Sequence, residues 1–215
     1  EEAAWRQQHP VVRVGVYAGD HLPAEAWVAG RPQGLAIDYM RLLATRIGMR
    51  LEFRAYTDWA AVNFAEPGQT IPYDLLSAMP VRPQQRRFQY LKPFGRAQAV
   101  MVARKGDLQT RTGEDLARAR IAVDRANRDL HGALLTLYPD AQLMFANSNR
   151  EALDLVAAGR ADAFVGPSEG NTRTLLMQRE ADDLRLLSPV PIPPRDLAPA
   201  LPNDNPMLLR LLRKA

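Results

Sequence analysis

The chain has 215 residues, 47% hydrophobic and 24% charged, with a net charge of +4 and no cysteine. This length holds one large domain or two small ones with separate cores, and the composition is ordinary for a soluble globular protein. Disulfides, thiolate catalysis and cysteine-ligated metals are excluded, and no apolar run reaches the roughly 18 residues of a membrane span.

The opening residues, EEAAWRQQHP, lack the basic end and apolar stretch of a signal peptide, though they are compatible with one having been removed. Three histidines, His9, His21 and His131, lie far apart with no metal-ligand spacing, so no metal site and no cofactor are expected. Only Lys92, Lys105 and Lys214 are lysines. The arginines are spread along the chain among Asp and Glu, whereas a nucleic-acid surface needs them clustered, so no nucleic-acid partner is expected.

VVRVGVY, residues 11–17, reads as a strand. In PQGLAIDYMRLLATRIGMRLEF, residues 32–53, Ile37, Met40, Ala44 and Ile47 recur at helical spacing. Gly48 can close that helix in the left-handed conformation. Leu51 and Phe53 then alternate with polar neighbours as in a half-buried strand. Residues 11–55 therefore form a strand–helix–strand unit, the crossover that parallel strands require. DWAAVNFA, 58–65, predicts a short helix, and YDLLSAM, 73–79, a third strand. The turn PVRPQQRR leads into FQYLKPF, and AQAVMVA, 97–103, is another strand.

A second series follows. TGED (112–115) and SNRE (148–151) have capping-box spacing. RIAV (120–123), AQLMFA and ADAFVG (161–166) read as strands, and DLHGALLTLYPD and REALDLVAAG as helices. SPVPIPPRD (188–196) reads as an extended crossing, LAPAL as a strand and NDNPMLLRLLRKA as a capped final helix. The repeat implies two α/β lobes: residues 1–96 and 190–215 in the first, 97–189 in the second, with crossings near 95–99 and 188–194. Open α/β sheets take ligands beyond the carboxyl ends of their strands, which places a ligand cleft between the lobes.

In this order the segments resemble the bacterial extracellular solute-binding proteins of family 3. GLAIDYMRLLATRIGMRLEF is similar to that family's entry to its first helix, YDLLSAM…RPQQRRFQYLKPF to its strand and Pro-turn, and TGEDLARARIAV to the start of its second lobe. NREALDLVAAGRADAFV resembles its Gly-Arg-x-Asp-Ala stretch and NDNPMLLRLLRKA its last helix. The resemblance covers nearly the whole chain. It implies an α/β, two-lobed, type II periplasmic-binding-protein-like Venus-flytrap fold. Within the family the chain looks most like the periplasmic sensor domains of BvgS-type histidine kinases. The implied function is a periplasmic small-molecule-binding sensor, non-enzymatic itself, tethered to the membrane in its parent chain and compatible with a homodimer. The alternatives are a free solute-binding protein of an ABC transporter and a periplasmic dehydratase.

The family's amino-acid anchors are an Arg after the Pro-turn, a Gly-Ser/Thr in the second lobe and an Asp after its last parallel strand. Here those positions carry Gln84, Ala126-Asn127 and Gly166-Pro167, so the ligand is not expected to be an ordinary amino acid. The candidate ligand-binding residues are Asp20 and His21 after the first strand, Trp59 as a platform, Met79, Arg82 and Arg86 at the Pro-turn, Asn127, and Glu169. Asp38 is expected to order its helix entry and Asp162 to be structural.

Overall fold

The chain enters through helix α1 (Glu2–Gln8) and runs into strand β1 (Val11–Tyr17), the hairpin strands β2 (Ala26–Val28) and β3 (Arg31–Gln33), helix α2 (Leu35–Ile47) and strand β4 (Arg50–Tyr56). Helix α3 (Trp59–Asn63) and strands β5 (Leu75–Pro80), β6 (Phe88–Tyr90), β7 (Gly95–Ala97) and β8 (Val100–Arg104) follow. A 3-10 helix at Gly113–Arg118 leads to β9 (Arg120–Asp124), α4 (Arg128–Leu137), β10 (Gln142–Ala146), α5 (Asn149–Ala157), β11 (Ala163–Gly166), α6 (Glu169–Met177) and β12 (Leu184–Pro189). Strand β13 (Arg195–Pro202) and helix α7 (Pro206–Lys214) end the chain. This computed structural model describes residues 1–19, 21–66, 68–84, 86–107, 109–110, 112–180, 182–202 and 205–215. The chain divides into two compact units, Glu1–Arg96 with Arg195–Ala215, and Ala97–Pro194.

In the first unit the strands lie in the order β4-β1-β5-β13-β6, with β7 beside β13. Strands β4, β1 and β5 are parallel and β13 is antiparallel. Crossover helix α2 buries Ala36, Ile37, Met40, Leu43, Ala44 and Ile47, the face given by its apolar spacing. Gly48, at φ 66°, closes the helix by donating its N–H to the Ala44 carbonyl. At the other end only glycine fits: Gly34 has φ 114°, and a Cβ there would stand 2.5 Å from the Ala24 carbonyl oxygen. Helix α7 adds buried Leu208, Leu209, Leu211 and Leu212 to the same core, capped by the Asn205 side chain at the Leu208 N–H.

In the second unit the order is β10-β9-β11-β8-β12. The first three are parallel, and β8 and β12 join antiparallel. Both expected helix starts form. Thr112 and Asp115 make a reciprocal capping box, and Ser148 Oγ accepts the Glu151 N–H at 3.1 Å. The unit boundary corrects the one read from sequence. Residues 190–194 belong to the second unit, because the Val190 N–H donates to the Ala99 carbonyl (3.0 Å) and Gln98 Nε2 reaches the carbonyls of Val190 (3.2 Å) and Ile192 (3.1 Å). Val190 is 1% exposed, inside that unit's core.

Candidate functional site

Two of the first unit's parallel strands end in tyrosines that are register partners, Tyr17 on β1 and Tyr56 on β4, with ring centroids 5.6 Å apart. Tyr73, just before β5, lies 5.7 Å from Tyr56. On the other side His21 tilts against Tyr17 at 4.6 Å, Trp59 stands edge-on to His21 at 6.2 Å, and Phe64 edge-on to Trp59 at 6.0 Å. The Arg82 guanidinium closes the row 4.9 Å over the Phe64 ring, while Nη1 donates to the side chain of buried Asn63. Edge contacts of this kind use the aromatic quadrupole, and an Arg over a ring face is attracted to it.

Local sequence explains how the row is held. Asp58 caps α3 by accepting the Ala61 N–H at 2.8 Å, which fixes Trp59 as the first helical residue. The Tyr17 ring lies on the backbone of Gly19, where a Cβ would meet it at 2.2 Å. Trp59 and Tyr56 are buried, whereas Tyr17, His21, Phe64 and Arg82 keep part of their surface open. The open edge of the row is therefore aromatic, with part of the Arg82 side chain at its end. It can stack a flat group, and the Arg82 charge favours an anionic one.

In the second unit, Asp124 ends β9 at 8% exposure, its Oδ1 accepting the Ala126 N–H at 2.9 Å. Burial pushes its pKa up, against that hydrogen bond and the nearby His131. His131 Nε2 lies 2.8 Å from the Asp124 carbonyl oxygen. Asn127 is the N-cap of α4, with Oδ1 accepting the Leu130 N–H at 3.3 Å. Past β11, Glu169 pairs with Arg173 one turn along α6 at 2.7 Å. Gly166 has no room for a carboxylate, since even a Cβ would stand 2.2 Å from Thr172 Oγ1.

The structure thus brings together three of the sequence candidates, His21, Trp59 and Arg82. Asp20 lies outside the described residues. Arg86 is exposed on the turn after β5. Met79 requires correction: it is fully buried inside β5 and offers no surface to a ligand, because both faces of that central strand are covered. Asn127 spends its side-chain oxygen on a helix cap, and Glu169 is engaged on the surface of α6. Sequence reasoning missed Tyr17, Tyr56, Tyr73 and Phe64. The available signal was an aromatic residue at or just after the end of each of the strands 11–17 and 50–56. Among the described residues no group of three or more His, Asp or Glu could hold a metal ion.

No protein-family model matches the chain. In sequence it is 32% identical over 209 residues to the virulence sensor protein BvgS of Bordetella bronchiseptica, an alignment covering 97% of this chain and 16% of BvgS. The crystal structure of the Bordetella pertussis BvgS periplasmic domain superposes with a TM-score of 0.81 at 24% identity, covering 99% of this chain and 41% of that one. The chain has the Venus-flytrap fold. A second solved structure, a histidine kinase sensor domain with similarity to periplasmic binding proteins, matches this Venus-flytrap domain with a TM-score of 0.80 at 21% identity, covering 97% of this chain and 90% of that one. Apart from Tyr73, which precedes β5, the aromatic row gathers at the carboxyl ends of the first unit's parallel strands, the side on which open α/β sheets take ligands.

Proposed function

We propose that this Venus-flytrap domain is the extracytoplasmic ligand-binding sensor of a membrane histidine kinase. The observation that carries the reading is the similarity to BvgS, a sensor protein, over 97% of the chain. No helix among the described residues is long and apolar enough to cross a membrane, so in this reading the rest of the parent chain supplies the tether. The domain binds rather than catalyses, and the kinase output belongs to the parent.

The ligand is a small molecule that meets the open edge of the aromatic row, with Arg82 pairing its acidic group. It is not an ordinary amino acid. Gln84, Ala126-Asn127 and Gly166-Pro167 stand where amino-acid-binding relatives resembled by the sequence carry anchors, and Gly166 has no room for an acidic side chain. Truncating one partner of a buried charge pair costs roughly 2–5 kcal/mol, between about one and four decades of affinity. Signalling follows from a shifted conformational equilibrium, which a ligand moves only through contacts it makes better in one state. A few charge-assisted hydrogen bonds of about 1.5–3 kcal/mol each supply the ~5.5 kcal/mol that moves a population from one extreme to the other.

The test is a thermal-shift screen of small organic acids and amino acids on the purified domain, with calorimetry on each hit. Hits are then applied to cells carrying the full-length parent and a kinase-dependent reporter. An organic acid that raises Tm and changes the reporter supports the reading. A parent chain without a kinase, or micromolar binding of common L-amino acids, overturns it.

A further inference from the structure

Glu25 opens the β2–β3 hairpin and is 1% exposed. Its Oε2 contacts the hydroxyl of Ser77, a fully buried residue of β5, and the Tyr17 backbone N–H also reaches the carboxyl. The other oxygen, Oε1, is buried with no hydrogen-bond partner among the described residues. Around the carboxyl stand Ser77 from β5, the Tyr17 backbone from β1, and the phenol of Tyr56 on β4, with Tyr73 beside Tyr56. His21 faces it through the backbone bridge that pairs the two residues. Among the described residues no Lys or Arg acts on its ionisation. A carboxylate buried this way, with few donors and no cation, is costly, whereas a neutral acid is not.

The serine geometry points the same way. Ser77 Oγ also lies 3.1 Å from the Gly15 carbonyl oxygen of β1. A hydroxyl has one proton to give. If that proton goes to Gly15, Ser77 can only accept from Glu25, and the carboxyl must bring the proton. The backbone then couples this site to the aromatic row. His21 accepts the N–H groups of Ala24 (2.9 Å) and Glu25 (3.2 Å), and Leu35 and Ala36 at the start of α2 donate to Pro23 and Ala24 (both 3.0 Å).

We propose that Glu25 is a proton-binding latch: as a neutral acid it donates to Ser77 and pins the His21 turn onto β1 and β5, and loss of the proton loosens that turn. Burial pushes the carboxyl up to about 8, against the Tyr17 N–H. An unfolded glutamate titrates near ~4.3. Between these values the folded state holds a proton that the unfolded state has released. Stability from this group is therefore complete below the unfolded value, falls through the window and levels off above about 8. Within the window each pH unit costs the folding equilibrium up to about tenfold. The device concerns the first unit alone and holds whatever ligand the domain takes.

The test compares the whole 215-residue chain with its Glu25→Gln variant, an amide that keeps a donor toward Ser77 without the titration. Three readouts are expected. Infrared spectra of the wild type show the carbonyl stretch of a protonated carboxylic acid at neutral pH that disappears in alkali and is absent from the variant. The wild-type Tm falls relative to the variant from pH 5 to 8. Amide exchange at Glu25 and Ala36, corrected for intrinsic rate, quickens above pH 9 in the wild type only. Parallel Tm profiles, or a wild type without the acid band at neutral pH, overturn the proposal. Should the variant not fold, the wild-type infrared titration with carboxyl-labelled glutamate decides alone: a band lost near pH 8 supports the latch, and all glutamates ionised by pH 6 sinks it.

Discussion

Arg120, at the start of β9, and Asp162, just before β11, hold the amino ends of neighbouring parallel strands together. Arg120 Nη2 reaches Oδ1 at 2.6 Å, Nε reaches Oδ2 at 3.1 Å, and the Arg120 backbone N–H donates to Oδ2 at 2.8 Å. The Asp162 N–H returns to the Arg120 carbonyl at 2.9 Å. The first unit repeats the arrangement with Arg13 and Asp74: 2.7 Å, 3.0 Å and 2.8 Å, with a return at 2.9 Å. Both brackets lie toward the amino ends of their parallel strands. Hydrogen bonds from Arg120 hold the Asp162 carboxyl below the usual aspartate range, against partial burial.

Asp162→Asn should therefore destabilise the second unit by about 1 kcal/mol at neutral pH, the scale of a partly exposed charge-assisted pair. The folded carboxyl titrates below the unfolded one, so its contribution is present above the unfolded value and lost as pH falls through the folded one. Urea melts should show the gap between wild type and variant shrinking as pH falls below the unfolded aspartate value of about 3.9. A gap that does not change with pH contradicts the assignment.

These brackets show what sequence discloses. Asp162 could be read as structural because Gly-Arg-x-Asp-Ala is a local pattern between a helix stop and a strand. Helix α2, with its apolar stripe and Gly48, was legible for the same reason: period and punctuation lie within a few residues. The β2–β3 hairpin was not, since strands of three residues carry no period. Helix α6 was missed too, its EGNTRTLLM offering a weak apolar stripe. The aromatic row draws on residues from Tyr17 to Arg82, and nothing local says that those rings meet. Nothing in the sequence around Glu25 marks it, and its burial is visible only once β2 packs beside β1.

Asn127 separates a cap from a ligand contact. Its oxygen accepts the Leu130 N–H, so Asn127→Ala should cost about 1 kcal/mol of stability and Asn127→Asp little. Melting curves of both variants check the cap. Calorimetry on the Asp variant then reads ligand contact by itself. Unchanged affinity with restored stability confines Asn127 to the cap.

Met79→Ala should act only through folding. The side chain is fully buried, and truncations of this kind cost about 2–5 kcal/mol. The urea midpoint should drop accordingly, with ligand affinity of the folded fraction unchanged. A specific loss of affinity at full folding would return Met79 to the binding surface.

Arg82 and Arg86 lie four residues apart, and Arg82 packs over Phe64 and reaches Asn63. Arg86 is exposed. If Arg82 pairs the acidic group of a ligand, Arg82→Ala should weaken a calorimetrically confirmed ligand by at least about tenfold, since a hydrogen bond to a charged group contributes about 1.5–3 kcal/mol. Arg82→Lys should recover only part of it, because an ammonium keeps the charge but lacks the planar fork and stacks less well on Phe64. Arg86→Ala should leave affinity within about twofold, the expectation for an exposed charge. Trp59→Phe is the companion variant: it keeps a ring against His21 and Phe64 and should weaken a flat ligand less than the loss of Arg82. Equal losses at Arg82 and Arg86 would mean that net positive charge draws the ligand in, and the placement of Arg82 at the end of the aromatic row would then carry no special role in recognition.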